Sequence, residues 1–289
     1  MDTKNLYKNK LLETFDLLVD FLENNHINWF GAYGTGIGTI RHKGLIPWDD
    51  DFDLYVLRSD YEKLYSIRHS LKSSGLCLLC SRDGTHYNSF FKVVNENTTI
   101  MADPSLKQYD GIFIDIFPLD EGNEELFDRY YHKLQTYMSL YKLMCMSFNM
   151  KDIVRFIKDR KIHSLSVALL RICMPSYLKV FAHRRIADID RCIKLSKGGN
   201  YISYYGRYKK KEILQKDWFQ YFELYEYENR KMRLPKGITE YLNHMYGDFM
   251  KVPDTIPEYT HLQIYTNLSK KLSVNEVLEK VEDGIYFER

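Results

Sequence analysis

The sequence predicts an α/β protein: a mixed sheet flanked by helices, followed by a mainly helical C-terminal part. Three observations predict it. Apolar residues recur at helical spacing at Leu11, Phe15, Leu18 and Leu22, and again at Tyr61, Leu64, Ile67 and Leu71. Short runs of strand character lie between and after these helices, over residues 27–30, 52–57, 76–80, 89–95 and 112–117. From Asn123 onward the pattern changes to long helical stripes. Residues 1–120 are therefore expected to form the α/β core, with residues 121–289 packed on it as one compact unit. At 289 residues the chain is long enough to bury a core of this kind.

The first helix is expected over residues 5–23, where Leu12 and Val19 widen the apolar stripe. Asn24-Asn25-His26 ends it, and His26 suits a capping role there, because the helix dipole favours a cation. Residues 27–30 lead into a small-residue loop at Gly34 to Gly38. After strand 52–57, Ser59 and Glu62 have the spacing of a capping box for the second helix, which Ser73-Ser74-Gly75 closes. Leu126, Tyr130, Leu134, Tyr137, Tyr141 and Met144 form a stripe expected to be core. Residues 162–181 are the most apolar, but Arg171, Pro175 and Lys179 interrupt them, so they do not form a span. Two expectations stand for this stretch: ordinary helix packing, or a peripheral helix on a membrane with Arg171, Lys179, His183, Arg184 and Arg185 facing anionic lipid. Residues 201–208 fit a strand or a binding loop, and Lys209-Lys210-Lys211 fits a solvated turn. An edge strand over 225–234 and a helix over 238–246 complete the chain.

Composition narrows the function. A net charge of +2 is too balanced to point to nucleic acid, and no basic stripe with RNA-motif aromatics is present. The 24 tyrosines and 16 phenylalanines suit a carbohydrate- or lipid-handling protein. Cys77 and Cys80 have a C-x-x-C spacing without a second pair, which argues against zinc, so all five cysteines are expected as small buried residues in strands. The polar residues 1–10 do not resemble a signal peptide and no apolar run reaches membrane-spanning length, so a cytoplasmic location is expected.

The chemistry concentrates in residues 34–53, GTGIGTIRHKGLIPWDDDFD. If 52–57 is a strand, the two-residue period puts Asp49, Asp51 and Asp53 on one side, with Asp50 facing away. Carboxylates so close repel one another unless a cation sits between them, and hard oxygen ligands suit Mg²⁺ or Mn²⁺ shared with a substrate phosphate. A solvated acidic turn or a calcium loop are the plainer alternatives. The EF-hand pattern fails, because Gly and Glu are missing from its required positions.

Gly34-Thr35, Gly38 and the run TIRHKGLIPWDDDFD over residues 39–53 resemble the signature of the LicD family, which the fukutin-type ribitol-phosphate transferases share. Residues 111–120, GIFIDIFPLD, resemble the family's second block, and Tyr246-Gly247-Asp248-Phe249-Met250 with Pro253 and His261 resembles its C-terminal one. Gly36-Ile37 departs from a commoner pair of leucines, and Val252-Pro253 from a pair of prolines. The resemblance implies a nucleotidyltransferase-like fold. It also implies transfer of phosphocholine or a related phospho-alcohol from a CDP donor to a glycan, or a lipid-linked glycan, with release of CMP. Asp51 and Asp53, with Asp49 or Asp115, would then hold Mg²⁺ or Mn²⁺. Gly34, Thr35 and Gly38 would cradle the diphosphate, and Arg41, His42 and Lys43 would neutralise the CMP leaving group.

Asp115 stands in the apolar run 112–117, where an unpaired carboxylate would cost several kcal/mol. It is expected either as a third catalytic acid beside Asp51 and Asp53, taking the acceptor's proton, or in a salt bridge with a core arginine. Lys92, similarly flanked, would meet a donor phosphate or neutralise the acids. A nucleotidyltransferase acting on a nucleoside triphosphate, and a catalytically silent binding protein on the same fold, are the alternatives. Contact with the inner face of a membrane accompanies the lipid-linked acceptor. The alcohol stays open among choline, ethanolamine, ribitol, glycerol and a phosphonate headgroup.

Overall fold

In the computed structural model, residues 3–106, 108, 110–253 and 264–288 are described. Helix α1 (Thr3–Asn24) turns Leu11, Leu12, Phe15, Leu18 and Leu22 into the core. Phe15 stacks on Phe52 at 4.4 Å and meets Trp29 edge-on at 5.7 Å. Each such fully buried side chain contributes about 1.5–3 kcal/mol, so the apolar face outweighs the modest propensity of the sequence around it. His26 adopts φ +51° just past the helix and turns the chain away.

Strand β1 (Trp29–Gly31), the short helix α2 (Tyr33–Ile37) and a π-helical turn over Gly38–His42 lead to β2 (Phe52–Leu57) and α3 (Arg58–Ser66). The glycine stretch expected as a loop is therefore helical. Strands β3 (Leu76–Leu79), β4 (Phe91–Asn95), β5 (Thr99–Met101) and β6 (Phe113–Gly122) follow. Four helices come next: α4 (Glu124–Cys145), α5 (Met150–Lys158), α6 (Ile162–Cys173) and α7 (Tyr177–Lys194). The chain continues through β7 (Asn200–Ile202), β8 (Ile213–Gln215), β9 (Phe222–Tyr227), β10 (Arg230–Pro235) and α8 (Ile238–Tyr246). It ends with β11 (Tyr265–Asn267), α9 (Val274–Glu282) and β12 (Phe287–Glu288).

The main sheet runs β1-β2-β6-β4-β3, with β2 and β6 parallel and the other pairs antiparallel, as expected for a mixed α/β core. β6 continues past this sheet to pair with β7, which pairs with β8. One apolar core joins residues from Leu11 to Leu268, while Met101, Tyr265, Leu272 and Val277 form a smaller cluster beside β5, β11 and β12.

An ionic network ties α3, β6 and α7 together. Arg58 donates to both oxygens of Asp120, at 2.6 and 2.8 Å, and lies 3.1 Å from Asp190. Arg82 bridges Glu62 at 2.9 Å and Asp190 at 3.0 Å. This network overturns the capping box. Glu62 is taken by the two arginines, and Leu57 stands at the N-cap with no side-chain bond. The second helix also stops at Ser66, and a 3-10 turn runs on to Gly75 at φ +69°.

Four other expectations change. Residues 162–181 break into α6 and α7, bent by 95°. The edge strand over 225–234 is a hairpin of β9 and β10. The lysine turn is a 3-10 segment in which Lys211 Nζ donates to Met245 O and Lys210 meets Glu124 at 2.5 Å. The cysteines are free thiols; Cys80 is buried, but Cys173 and Cys192 are exposed on helices, so burial in strands does not hold for all five. Among the described residues no single helix is long and apolar enough to cross a membrane.

Candidate metal and phosphate site

Strand register builds the site. Asp53 on β2 lies opposite Asp115 on β6, and Lys92 on β4 lies opposite Asp115 from the other side. Laterally paired residues point to the same face, so the three side chains form one row across three strands. Carboxylate oxygens of Asp51, Asp53 and Asp115 come within 4.8 Å of one another, a spacing that one metal ion can bridge. Asp49, Asp50 and Asp51 form a second such group. Asp50 is thus buried among its neighbours, contrary to the expectation that it faces away, because the chain is not yet a strand before Phe52.

The electrostatics follow from this crowding. Burial first, then the charges of Asp51, Asp115 and Asp49, push Asp53 well above the usual carboxylate range, while Lys92 pulls it back. Lys92 Nζ lies 2.8 Å from Asp115 Oδ1 and 3.2 Å from the centre of the Phe113 ring. The contact is an ion pair rather than an aligned hydrogen bond, since Asp115 Oδ1 has no hydrogen-bond partner among the described residues. The two expectations for Asp115 therefore merge. It sits in the acidic row and is also salt-bridged, with lysine in place of the expected arginine.

The preceding segment sets these acids in place. The Asp53 N–H donates to Thr35 Oγ1 at 2.8 Å, and Ala32 N–H donates to Asp53 O at 2.9 Å, which locks β2 to α2. A Cβ on Gly34 would lie 2.3 Å from Asp49 Oδ2, so the missing side chain makes room for a carboxylate. On Gly38 a Cβ would lie 2.5 Å from Gly44 O, which commits that glycine to packing of its own turn.

The basic patch is divided. Arg41 Nη1 donates to Phe249 O at 2.7 Å and to Lys251 O at 3.2 Å, tying the central motif to the C-terminal block. His261, expected in that block, lies outside the described residues. Burial, reinforced by Arg41, lowers the His42 pKa, so at neutral pH this ring is uncharged; it packs edge-on to Trp48 at 5.9 Å. Lys43 is exposed and lies 3.6 Å from Glu226 at the hairpin.

Two features were not predicted from the sequence. Tyr33, at the start of α2, has φ +42°, a costly conformation for a bulky residue, about 1–3 kcal/mol. It is held by its N–H donating to Tyr241 Oη at 3.1 Å and its hydroxyl donating to buried Glu212 at 2.9 Å. Tyr227 is fully buried near Asp49 and Asp51, whose charges help burial raise its pKa, and its hydroxyl has no partner among the described residues. In sequence both tyrosines look like ordinary apolar positions. Only the adjacency of Tyr33 to Gly34-Thr35 hinted at a role.

Residues 26–153 match the family described as LicD/FKTN/FKRP, nucleotidyltransferase domain. The chain carries a LicD-family domain. The LicD match contains the whole acidic row and Lys92. The chain is also similar to the lipopolysaccharide cholinephosphotransferase LicD of Haemophilus influenzae, 24% identical over 257 residues that cover 86% of this chain and 92% of the relative. Uncharacterized proteins of Rickettsia prowazekii and Rickettsia typhi are each 33% identical over 69 residues, 23% of this chain and 26% and 22% of their own lengths.

Proposed function

We propose that this protein is a metal-dependent phosphotransferase. It moves a phospho-alcohol, such as phosphocholine, from a CDP-activated donor to a hydroxyl of a cell-surface glycan and releases CMP. The observation that carries the reading is the row Asp51, Asp53 and Asp115, gathered from β2, the residue just before it, and β6 inside a LicD-family domain. The name of the Haemophilus relative supports choline phosphate and lipopolysaccharide as the substrate classes.

The donor set fits a hard divalent cation, since it is all carboxylate and its neighbours' charges raise the proton affinity of Asp53. Asp51, Asp53 and Asp115 would hold Mg²⁺ or Mn²⁺, with Asp49 as a further ligand. Bound there, the ion neutralises phosphate charge on the donor. The chain's own residues position the reactants. Gly34 and Thr35 let the donor phosphates approach the backbone beside Asp49, and Gly38 keeps the following turn compact. Arg41 and Lys43 carry positive charge towards CMP, and neutral His42 takes part by hydrogen bonding. Asp115, held by Lys92, orients the acceptor hydroxyl and takes its proton. The new P–O bond forms as the bond to CMP breaks, an in-line displacement that depends on positioning and charge more than on covalent help. The N-terminal α/β part and the helical remainder act as one unit, and the reaction takes place in the cytoplasm at the inner face of a membrane.

The test is product analysis with CDP-choline, the other CDP-alcohols and a glycan acceptor in Mg²⁺. CMP and a phospho-alcohol-modified glycan are expected. Pyrophosphate released from a nucleoside triphosphate would instead favour nucleotidyl transfer, the reaction that the family description suggests. Asp51→Asn and Asp53→Asn should each remove about 99% of turnover or more while leaving a cooperative melt, given the several kcal/mol a metal supplies. Retention of more than about a tenth in both would exclude metal-assisted transfer.

A further inference from the structure

Helices α5, α6 and α7 leave their apolar side uncovered. Ten of the nineteen exposed large apolar residues among the described residues fall between 150 and 181, about a ninth of the chain. On α5, Met150, Val154 and Ile157 recur at i, i+4 and i+7, and the helix buries no residue at all. Ile162 and Ile172 on α6 and Tyr177 on α7 extend the surface, with Ile162 at 78% exposure and Tyr177 at 67%. An amphipathic helix whose apolar face meets only water is missing a partner.

Charge identifies the partner. Between residues 150 and 185 there are nine Lys or Arg against two Asp, a net +7, whereas the remainder of the chain carries −5. Arg155 and Lys158 lie on α5 itself, and Arg184 and Arg185 are exposed on α7. Two copies of so cationic a face would repel each other, which argues against self-association. Combined apolar and cationic character suits a surface that is oily below and anionic above. α6 alone is too short to cross: it has 12 residues, about 18 Å of helix, against a hydrocarbon core of about 30 Å, and the chain then bends by 95°, which suits a helix pair lying along a surface.

We propose that α5, α6 and the start of α7 form a peripheral docking face for an anionic lipid bilayer, with the apolar side chains entering one leaflet and the cations resting on its phosphates. The face is separate from the acidic row and does not depend on the transfer reaction. In a cell it would bring that row to a lipid-linked acceptor.

The experiment is sedimentation of the full chain with vesicles of phosphatidylglycerol and phosphatidylcholine, and of phosphatidylcholine alone. Binding to the anionic vesicles at low salt is expected, weaker by about tenfold or more on neutral vesicles or in about 1 M salt, where the Debye length is about 3 Å. Val154→Asp/Ile157→Asp and, separately, Arg155→Glu/Lys158→Glu should each weaken binding about tenfold or more, with unchanged melting because these side chains are exposed. Absence of binding at low salt, or wild-type binding by both folded variants, overturns the proposal. So does sedimentation equilibrium that finds a dimer which the Val154/Ile157 variant dissolves, since the face would then belong to a second copy.

Discussion

Lys92→Met isolates the electrostatic strain in the acidic row. The lysine is buried, 2.8 Å from Asp115, and methionine keeps its length while removing its charge. At an effective dielectric of about 20 this contact amounts to roughly 6 kcal/mol of gross attraction. Desolvation of the ammonium offsets part of it, and stranding one member of a buried pair costs about 3–5 kcal/mol net. The loss is at the upper end here, because Asp115 would be left facing Asp51 and Asp53 with no cation between them. For a chain of this size that corresponds to a melting temperature lower by about 10 °C in EDTA. Magnesium should then act more strongly on the mutant than on the wild type, since Lys92 no longer competes for Asp115. Saturating ion at about a hundred times its Kd contributes about 2.7 kcal/mol, and the tighter Kd of the mutant adds to that. Thermal melts of both proteins in EDTA and in excess MgCl₂ measure all four values. A mutant that melts within about 2 °C of wild type in EDTA, or that gains no more from Mg²⁺, would refute the argument.

Other outcomes follow from single features. Gly34→Val should abolish donor binding while the protein still folds, because the new Cβ falls 2.3 Å from Asp49 Oδ2 and displaces the flexible carboxylate; normal donor affinity by calorimetry would place the diphosphate elsewhere. Glu212, pushed up to about 7 mainly by burial, should make the fold pH-dependent. Its folded value exceeds the ordinary 4.5, so its contribution is complete below about pH 4.5 and is lost as pH rises through about 7, roughly 3 kcal/mol in all. Glu212→Gln should flatten that slope, and melts that fall equally in both proteins between these pH values would discount the residue.

Much of the framework was legible from local pattern. α1, α4 and α8 follow from 3.6-residue spacing, and β2, β3, β4 and β6 from short apolar runs between turn residues. The acidic row was legible because Asp51 and Asp53 stand two residues apart in sequence and Asp115 is conspicuous among isoleucines. Its arrangement was not. That Lys92 partners Asp115 depends on the β4–β6 register, which no local spacing encodes. Glu62 failed as a helix cap because Arg82, twenty residues away, claims it. The use of Gly34 and Gly38 depends on whether Asp49 or Gly44 approaches them, a fact of tertiary packing. The C-terminal block escaped placement for the same reason, since only the folded chain shows Arg41 bound to its carbonyls.

The parallel pairing of β2 with β6 joins residues 62 positions apart, Asp53 and Asp115. In the unfolded chain these acids are diluted along the backbone and repel weakly. Closing the sheet concentrates them, so a step already slowed by loop closure is opposed by charge as well. A divalent ion present during that step would screen the growing cluster before the last strand docks. Refolding should therefore be faster in MgCl₂ than in chelator, with unfolding slowed less. Equal refolding rates would place the gathering of charge after the barrier. If the rates differ, nascent chains would reach the native state at a pace set by the ion that the finished site retains.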